Sequence, residues 1–291
     1  MCEECGCGNV ESFKVSSLVG GDKREATTHT PEDGVVHAHE HTHADGTVHV
    51  HEHSHAHDHG AEHPHDDHHH HAHVQTVDLH APILAKNDRL AERNRGFLKA
   101  KGIVALNLLS SPGAGKTTLL EKTLPSLPPD LAPALINGDL ATDNDAERLH
   151  ASGAPVAQIT TGTVCHLDAE MIARGLEELP LDDCRLLFIE NVGNLVCPAS
   201  YDLGEDKKVV LFSVTEGEDK PLKYPPIFHN ADLVVLTKID MAEAAGFDRA
   251  AAMENLRKVA HHSEVIELSA KSGEGMDKWL GWLGSLTLRR D

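Results

Sequence analysis

The chain has 291 residues, with 46 Asp and Glu against 26 Lys and Arg, a formal net charge of −20, and 24 histidines. Such acidity argues against a nucleic-acid partner, because phosphate backbones are held by basic patches. No run of about 18 apolar residues is present to span a membrane, and the N-terminus lacks the charged-then-apolar pattern of a secretory leader, so a cytoplasmic location is expected.

Charge and histidine are unevenly spread. Residues 1–80 hold 19 of the 24 histidines and −12 of the net charge. Few large apolar residues lie there, too few for burial to offset the entropy of ordering. Three parts are expected: a cysteine metal-binding motif at 1–8, a flexible histidine-rich metal-binding segment at 9–80, and a folded domain at 81–291 led by a helix at 81–102.

Cys2, Cys5 and Cys7 place three thiols within six residues, and Gly6 and Gly8 permit a tight wrap. Clustered so closely, they read as a ligand set rather than a disulfide framework. Three sulfurs with a backbone or terminal nitrogen suit square-planar Ni²⁺, and Zn²⁺ would take the same donors tetrahedrally. Residues 9–36 read as a polar linker. Between 37 and 73, His49, His51, His53, His55, His57 and His59 alternate with other residues, and His68, His69, His70 and His71 follow. This tract is expected to be disordered without metal and to hold several divalent ions loosely. Its period of two does not read as a strand, because the alternating partners are mostly small or charged.

From 82 to 100, Ile83, Leu84, Leu90, Ala91, Phe97 and Leu98 recur as one apolar stripe, which predicts a helix stopped by Gly102. It would pack on the sheet edge or on a partner subunit. Strands and helices then alternate. Apolar runs at 103–109, 134–137, 186–189, 209–214, 233–236 and 265–268 predict strands, with helices at 143–152, 167–179, 241–260 and 275–285. Continuous apolar strands suit a parallel sheet buried on both faces. The fold class is therefore α/β, a mostly parallel sheet flanked by helices behind a disordered metal-binding extension.

The turn after the first of these strands is Ser110-Ser111-Pro112-Gly113-Ala114-Gly115-Lys116-Thr117-Thr118, a P-loop with Ser110 where the first glycine usually stands. Gly113 and Gly115 let backbone N–H groups of the Gly113–Thr118 turn wrap phosphate oxygens. Lys116 supplies charge to the β and γ phosphates, and Thr117 the hydroxyl for Mg²⁺. Asp139 and Glu190 each end a predicted strand, where ligands of open α/β sheets gather, and are candidates for the remaining Mg²⁺ contacts. The switch segment is Thr142-Asp143-Asn144-Asp145. Asp143 is the candidate to orient the attacking water, with Asp145 competing for the role. Thr237-Lys238-Ile239-Asp240 follows a later strand. The Asp240 carboxylate would accept from N1–H and the 2-amino group of guanine, and the Lys238 stem would cover the ring. Ser269-Ala270-Lys271, after the last strand, would offer a backbone N–H to the guanine oxygen. GTP is the implied nucleotide.

Two further segments carry metal-ligating side chains. Cys165-His166 follows a sheet element, and Cys197-Pro198 lies seven residues past Glu190, so a metal held there would feel the nucleotide state. On its own Cys165 reads as a small core residue, and Cys184 as structural.

Cys2-Glu3-Glu4-Cys5-Gly6-Cys7, the histidine tract, the loop Ser111 to Thr118, Asn137-Gly138-Asp139, Thr142 to Asp145 and Glu190-Asn191-Val192-Gly193-Asn194-Leu195-Val196-Cys197-Pro198 together resemble the hydrogenase nickel-incorporation GTPases, the HypB family, over nearly the whole chain. The resemblance implies a low-turnover, Mg-dependent GTPase that stores and delivers Ni²⁺ to the large-subunit precursor of nickel–iron hydrogenase. It implies a homodimer when GTP is bound, with a second site for Ni²⁺ or Zn²⁺ across the interface made by Cys165, His166 and Cys197. It also implies a small zinc-containing nickel chaperone, HypA, as partner. A urease-type nickel chaperone GTPase is the nearest alternative. It is disfavoured because Ala199 follows Cys197-Pro198 where that family has His, and because the leading cysteines are present here. A nickel store with little GTPase role is opposed by the intact Lys116, Thr117 and Asp240.

Overall fold

A computed structural model describes residues 13–19, 22–23, 27–29, 38–42, 48–52, 80–140 and 144–287. Two compact units are distinguished, one of residues 1–30 with 79–291 and one of residues 31–78.

The larger unit begins with β1 (Phe13–Val19), β2 (Asp22–Lys23) and β3 (Thr27–His29). The smaller unit holds β4 (Ala38–Thr42) and β5 (Val48–Glu52). The larger resumes with α1 (His80–Lys101), β6 (Val104–Leu109), α2 (Lys116–Thr123), β7 (Ala134–Asp139), α3 (Asn144–His150) and β8 (Val156–Thr160). Then come α4 (Ala169–Glu177), β9 (Leu186–Glu190), β10 (Lys207–Ser213), the short α5 (Lys220–Lys223) and α6 (Pro225–His229), and β11 (Leu233–Thr237). α7 (Arg249–Val259), β12 (Glu264–Glu267) and α8 (Met276–Thr287) complete it.

The sheet order is β12-β11-β10-β6-β9-β7-β8-β1-β2, with β3 also on β1. All pairings from β12 to β8 are parallel. Along β6 the side chains alternate between the two faces of the sheet. Val104, Leu106 and Leu108 pack with α2, α3 and α8, whereas Ala105 joins the layer of α1 and α4, and Leu109 that of α6 and α7. That two-sided burial is the reason the central strands are apolar throughout. The chain is thus a P-loop NTPase fold with helices on both faces. Among the described residues no helix is long and apolar enough to cross a membrane.

Several elements depart from the sequence expectation. β8 was not anticipated, because Gln158 sits in its middle. Gln158 is nonetheless 2% exposed and accepts from Asn137 Nδ2 on β7 at 2.7 Å. The helix expected at 241–260 starts only at Arg249. In α1 the buried stripe is Asn87, Ala91, Asn94 and Leu98, while Phe97 is exposed.

Within the segment read as a polar linker, β1 pairs antiparallel with β8, Lys14 opposite Thr160. Phe13, Val15 and Ser17 alternate inward while Lys14 faces out, the period-two pattern of a strand with one buried face. The histidine tract was not expected to form strands either. β4 and β5 pair antiparallel, His39 opposite His51 and His41 opposite His49. A two-stranded ribbon is marginally stable by itself in water. Cys2, Cys5, Cys7, His53, His55, His57, His59 and His68 to His71 lie outside the described residues.

Candidate functional site

β6 ends at Leu109 and the chain turns through Ser110–Gly115 into α2. Gly113 and Gly115 have φ of 74° and 103°, left-handed values that admit glycine readily. Gly115 caps α2 without a side-chain hydrogen bond, so the first N–H groups of the helix face an incoming anion. Lys116 is buried and its Nζ donates to Ser110 Oγ at 2.8 Å. The serine in place of the usual glycine thus supplies an oxygen that accepts from the lysine. Burial depresses the lysine's pKa, opposed by the charges of Glu190 and Asp145.

Thr117 Oγ1 donates to Glu190 Oε1 at 2.7 Å. Glu190 is 4% exposed and its Oε2 is buried with no hydrogen-bond partner. Desolvation raises its pKa to about 7, against the lowering effect of Lys116 and of the Thr117 bond. An orphaned carboxylate oxygen beside a threonine hydroxyl is a donor set suited to Mg²⁺, whose charge would offset the burial cost. Asp139 ends the neighbouring strand; Asn137 there pairs in register with Glu190, so both carboxylates lie at the same end of the sheet. Asp139 Oδ1 accepts from the Leu140 N–H at 2.6 Å. Thr142 and Asp143 lie outside the described residues. Asp145 is bound to Arg148 at 2.9 Å, and the same guanidinium grips Glu121 of α2.

The loops that follow β11 and β12 are fastened to the phosphate loop. Thr237 Oγ1 donates to Ala114 O and Lys238 Nζ to Gly113 O, both at 2.7 Å. Lys238 adopts φ of 58°, a left-handed conformation unusual for a side-chain-bearing residue. Ile239 N donates to Leu268 O at 3.4 Å, which joins this loop to the one carrying Ser269, Ala270 and Lys271. Ser269 is fully buried and its Oγ accepts from Ser272 N at 3.1 Å. Gly275 closes the second loop so tightly that a Cβ there would lie 2.1 Å from Glu267 O. Asp240 is exposed beside this junction, where a ligand's edge can reach it.

Cys165, His166 and Cys197 converge, with one candidate ligand atom from each within 4.8 Å of the others. The two sulfurs are 3.2 Å apart and form no disulfide. His166 is 2% exposed, its ring lies tilted against that of Tyr201 with centroids 3.9 Å apart, and its Nδ1 is buried without a hydrogen-bond partner. Desolvation lowers its pKa to about 4, so the ring stays neutral, as a metal ligand must be. Two thiols and a neutral imidazole whose Nδ1 is unpartnered are donors that could hold a transition-metal ion. Cys165, read alone as a core residue, is half-buried and belongs to this group, whereas Cys184 is buried against the Leu186 carbonyl as expected.

Sequence reasoning missed the amides around these segments. Asn87 Oδ1 accepts from Ala169 N at 2.9 Å and its Nδ2 donates to Asp202 O at 2.8 Å. Asn94 Nδ2 donates to Ala169 O at 2.8 Å and to Leu203 O at 3.1 Å. Helix α1 thereby clasps the chain just beyond His166 and just beyond Tyr201. Their spacing on the α1 stripe was the available signal, hidden by their polarity.

Residues 104–267 match the family described as CobW/HypB/UreG, nucleotide-binding domain. The hydrogenase maturation factor HypB of Escherichia coli K12 is 54% identical over 207 residues, 71% of each chain. The probable hydrogenase maturation factor HypB of Methanocaldococcus jannaschii is 44% identical over 210 residues, 72% of this chain and 95% of that one. Among solved structures, HypB from Helicobacter pylori in complex with nickel has a TM-score of 0.67 at 39% identity, covering 70% of this chain and 96% of that one. The HypB structure from Archaeoglobus fulgidus gives 0.66 at 41% identity, covering 70% and 99%. The chain therefore belongs to the HypB hydrogenase maturation factors of the CobW/HypB/UreG family.

Proposed function

We propose that the chain is a GTP-hydrolysing nickel metallochaperone, in which the nucleotide governs dimerisation and the hold on a metal ion destined for nickel–iron hydrogenase. The carrying observation is adjacency: Cys197 follows Glu190 by seven residues and meets Cys165 and His166 within 4.8 Å. Gly113 to Thr118 hold the phosphates, with Lys116 on the β and γ oxygens. Asp240 and the Ser269-Ala270-Lys271 turn read guanine, and Lys238 covers its ring. Thr117, Asp139 and Glu190 hold Mg²⁺, which would neutralise charge developing on the phosphates. Asp143 orients the attacking water. Cys165, His166 and Cys197 of two subunits take the transported Ni²⁺, with Zn²⁺ as competitor. Cys2, Cys5 and Cys7 make a separate nickel site, and the histidine tract a reserve. HypA and the hydrogenase large-subunit precursor are the partners, in the cytoplasm. Loss of the γ-phosphate would slacken the segments behind Asp139 and Glu190 and so alter metal affinity or dimer stability.

The test uses the full chain. Phosphate release from GTP, dependent on Mg²⁺, should be slow, and dimers should form with a non-hydrolysable GTP analogue. Equal Ni²⁺ affinity and equal dimerisation with GDP and with the analogue would refute the nucleotide control. Absent GTP turnover would leave a metal store in its place.

A further inference from the structure

The nucleotide carboxylates and the metal triad are joined by one buried junction. Asn191 directly follows Glu190, is 2% exposed, and its Oδ1 accepts from Leu167 N at 3.1 Å and from Val192 N at 2.9 Å. Leu167 directly follows His166. Three residues further on, Asn194 Nδ2 donates to Cys165 O at 3.4 Å. The segment that leaves Glu190 therefore grips His166 from both sides through two asparagines.

Other contacts fix this junction to the phosphate site. The Leu167 side chain lies against Gly138, the residue before Asp139, where an added Cβ would come within 2.7 Å of Leu167 Cδ1. Gly193 rests on Pro112 of the phosphate loop, where a Cβ would lie 2.9 Å from Pro112 Cα. On its other side Asn191 Nδ2 donates to Asn107 Oδ1 at 3.3 Å, and Asn107 Nδ2 donates to Glu205 Oε1 at 3.2 Å. Glu205 Oε2 then accepts from Leu203 N at 2.7 Å, on the stretch that also carries Tyr201, whose ring lies against His166. Asn107 is fully buried on the middle strand, and such a group is retained in an interior only when its bonds are made.

We infer that Asn191, anchored by Asn107 and Glu205, is the positioning residue that transmits nucleotide state to Cys165, His166 and Cys197. It ligates neither metal. A shift of Glu190 moves Asn191, and through the Leu167 amide it moves the His166 backbone while Asn107 and Glu205 hold the Tyr201 side still. The triad then opens or closes between a moving segment and a fixed one. The inference rests on the proposed metal role of the triad.

The experiment measures alkylation of Cys165 and Cys197 in the full chain, resolved by peptide mass spectrometry, against buffered free Ni²⁺. Each protein is run with GDP and with a non-hydrolysable GTP analogue. In the wild-type chain Ni²⁺ slows alkylation, and the half-protecting concentrations in the two nucleotide states differ by about fivefold or more. In Asn191→Ala that ratio falls to within about twofold of one. Asn191→Asp, which keeps the acceptor for Leu167 and Val192 but loses the donor to Asn107, restores only part of the ratio. Asn107→Ala, which removes the anchor alone, also shrinks it and serves where Asn191→Ala does not fold. An unchanged ratio in folded Asn191→Ala or in Asn107→Ala overturns the inference while the metal reading stands. No Ni²⁺ protection in the wild-type chain overturns both.

Discussion

The phosphate loop and the cysteine–histidine triad lie close in the fold but are held in opposite ways. In the phosphate loop the reactive groups hold one another: Lys116 on Ser110, Thr117 on Glu190, Lys238 on Gly113 and Thr237 on Ala114. In the triad the two sulfurs touch, His166 Nδ1 has no partner, and the geometry comes from outside, from Asn87, Asn94, Asn191 and Asn194 acting on backbone. A site that holds itself keeps its shape whatever its surroundings do. A site held by its surroundings changes when they change, which is what the proposed release of a metal ion would require.

Breaking the self-held site should have the largest effect. Lys116→Ala removes the buried cation from the phosphates and should lower GTP turnover by about 100-fold or more, read as phosphate release. Near-normal turnover would mean that the lysine's bond to Ser110 is its whole function. Next in size, His166→Ala should weaken Ni²⁺ binding at the triad by more than the ~10–100-fold typical of losing a supporting hydrogen bond to a ligand. Metal-dependent protection of Cys165 and Cys197 measures it, and a loss below twofold would dissolve the distinction between the two sites.

Gly204→Ala tests the outside support. Gly204 has φ of +90°, and a Cβ there would lie 2.5 Å from Ala91 O and 2.8 Å from Asn94 Cβ on α1. The substitution should cost about 2–4 kcal/mol in denaturant unfolding, from the left-handed backbone and the overpacked contact. It should also loosen the triad, because α1 can no longer close on Asp202 and Leu203. Smallest is Trp279→Phe, which deletes the bond from Trp279 Nε1 to Thr123 Oγ1 at 2.8 Å. A loss of about 1–2 kcal/mol is expected from the missing bond and the smaller ring, a few degrees in Tm, with no effect on the triad.

The same contrast explains what could be read from sequence. Phosphate binding demands glycine, lysine and a hydroxyl at fixed spacing in one turn, so Gly113, Gly115, Lys116 and Thr117 are visible in a single stretch. The parallel strands are visible because both faces are buried. β8 was hidden because Gln158 is satisfied by Asn137 across the strand pair, a contact no local pattern records. β1 was hidden inside a polar segment, since only Phe13, Val15 and Ser17 turn inward. Asn87 and Asn94 were hidden because a helix stripe is sought among apolar residues, whereas these two are buried for their hydrogen bonds. The meeting of Cys165-His166 with Cys197 depends on which strand ends lie side by side, and that is a property of the sheet order rather than of either segment.

The chain has two tryptophans, Trp279 and Trp282, and they stack with centroids 5.6 Å apart. Trp279 is completely buried and bonded to Thr123, the last residue of the helix whose first residues are Lys116 and Thr117. All indole light from this protein therefore originates at one place, about 12 Å along a single helix from the phosphate loop. An indole pair so placed is an optical gauge of that loop, and ultraviolet emission is expected to change on nucleotide addition without any dye being attached.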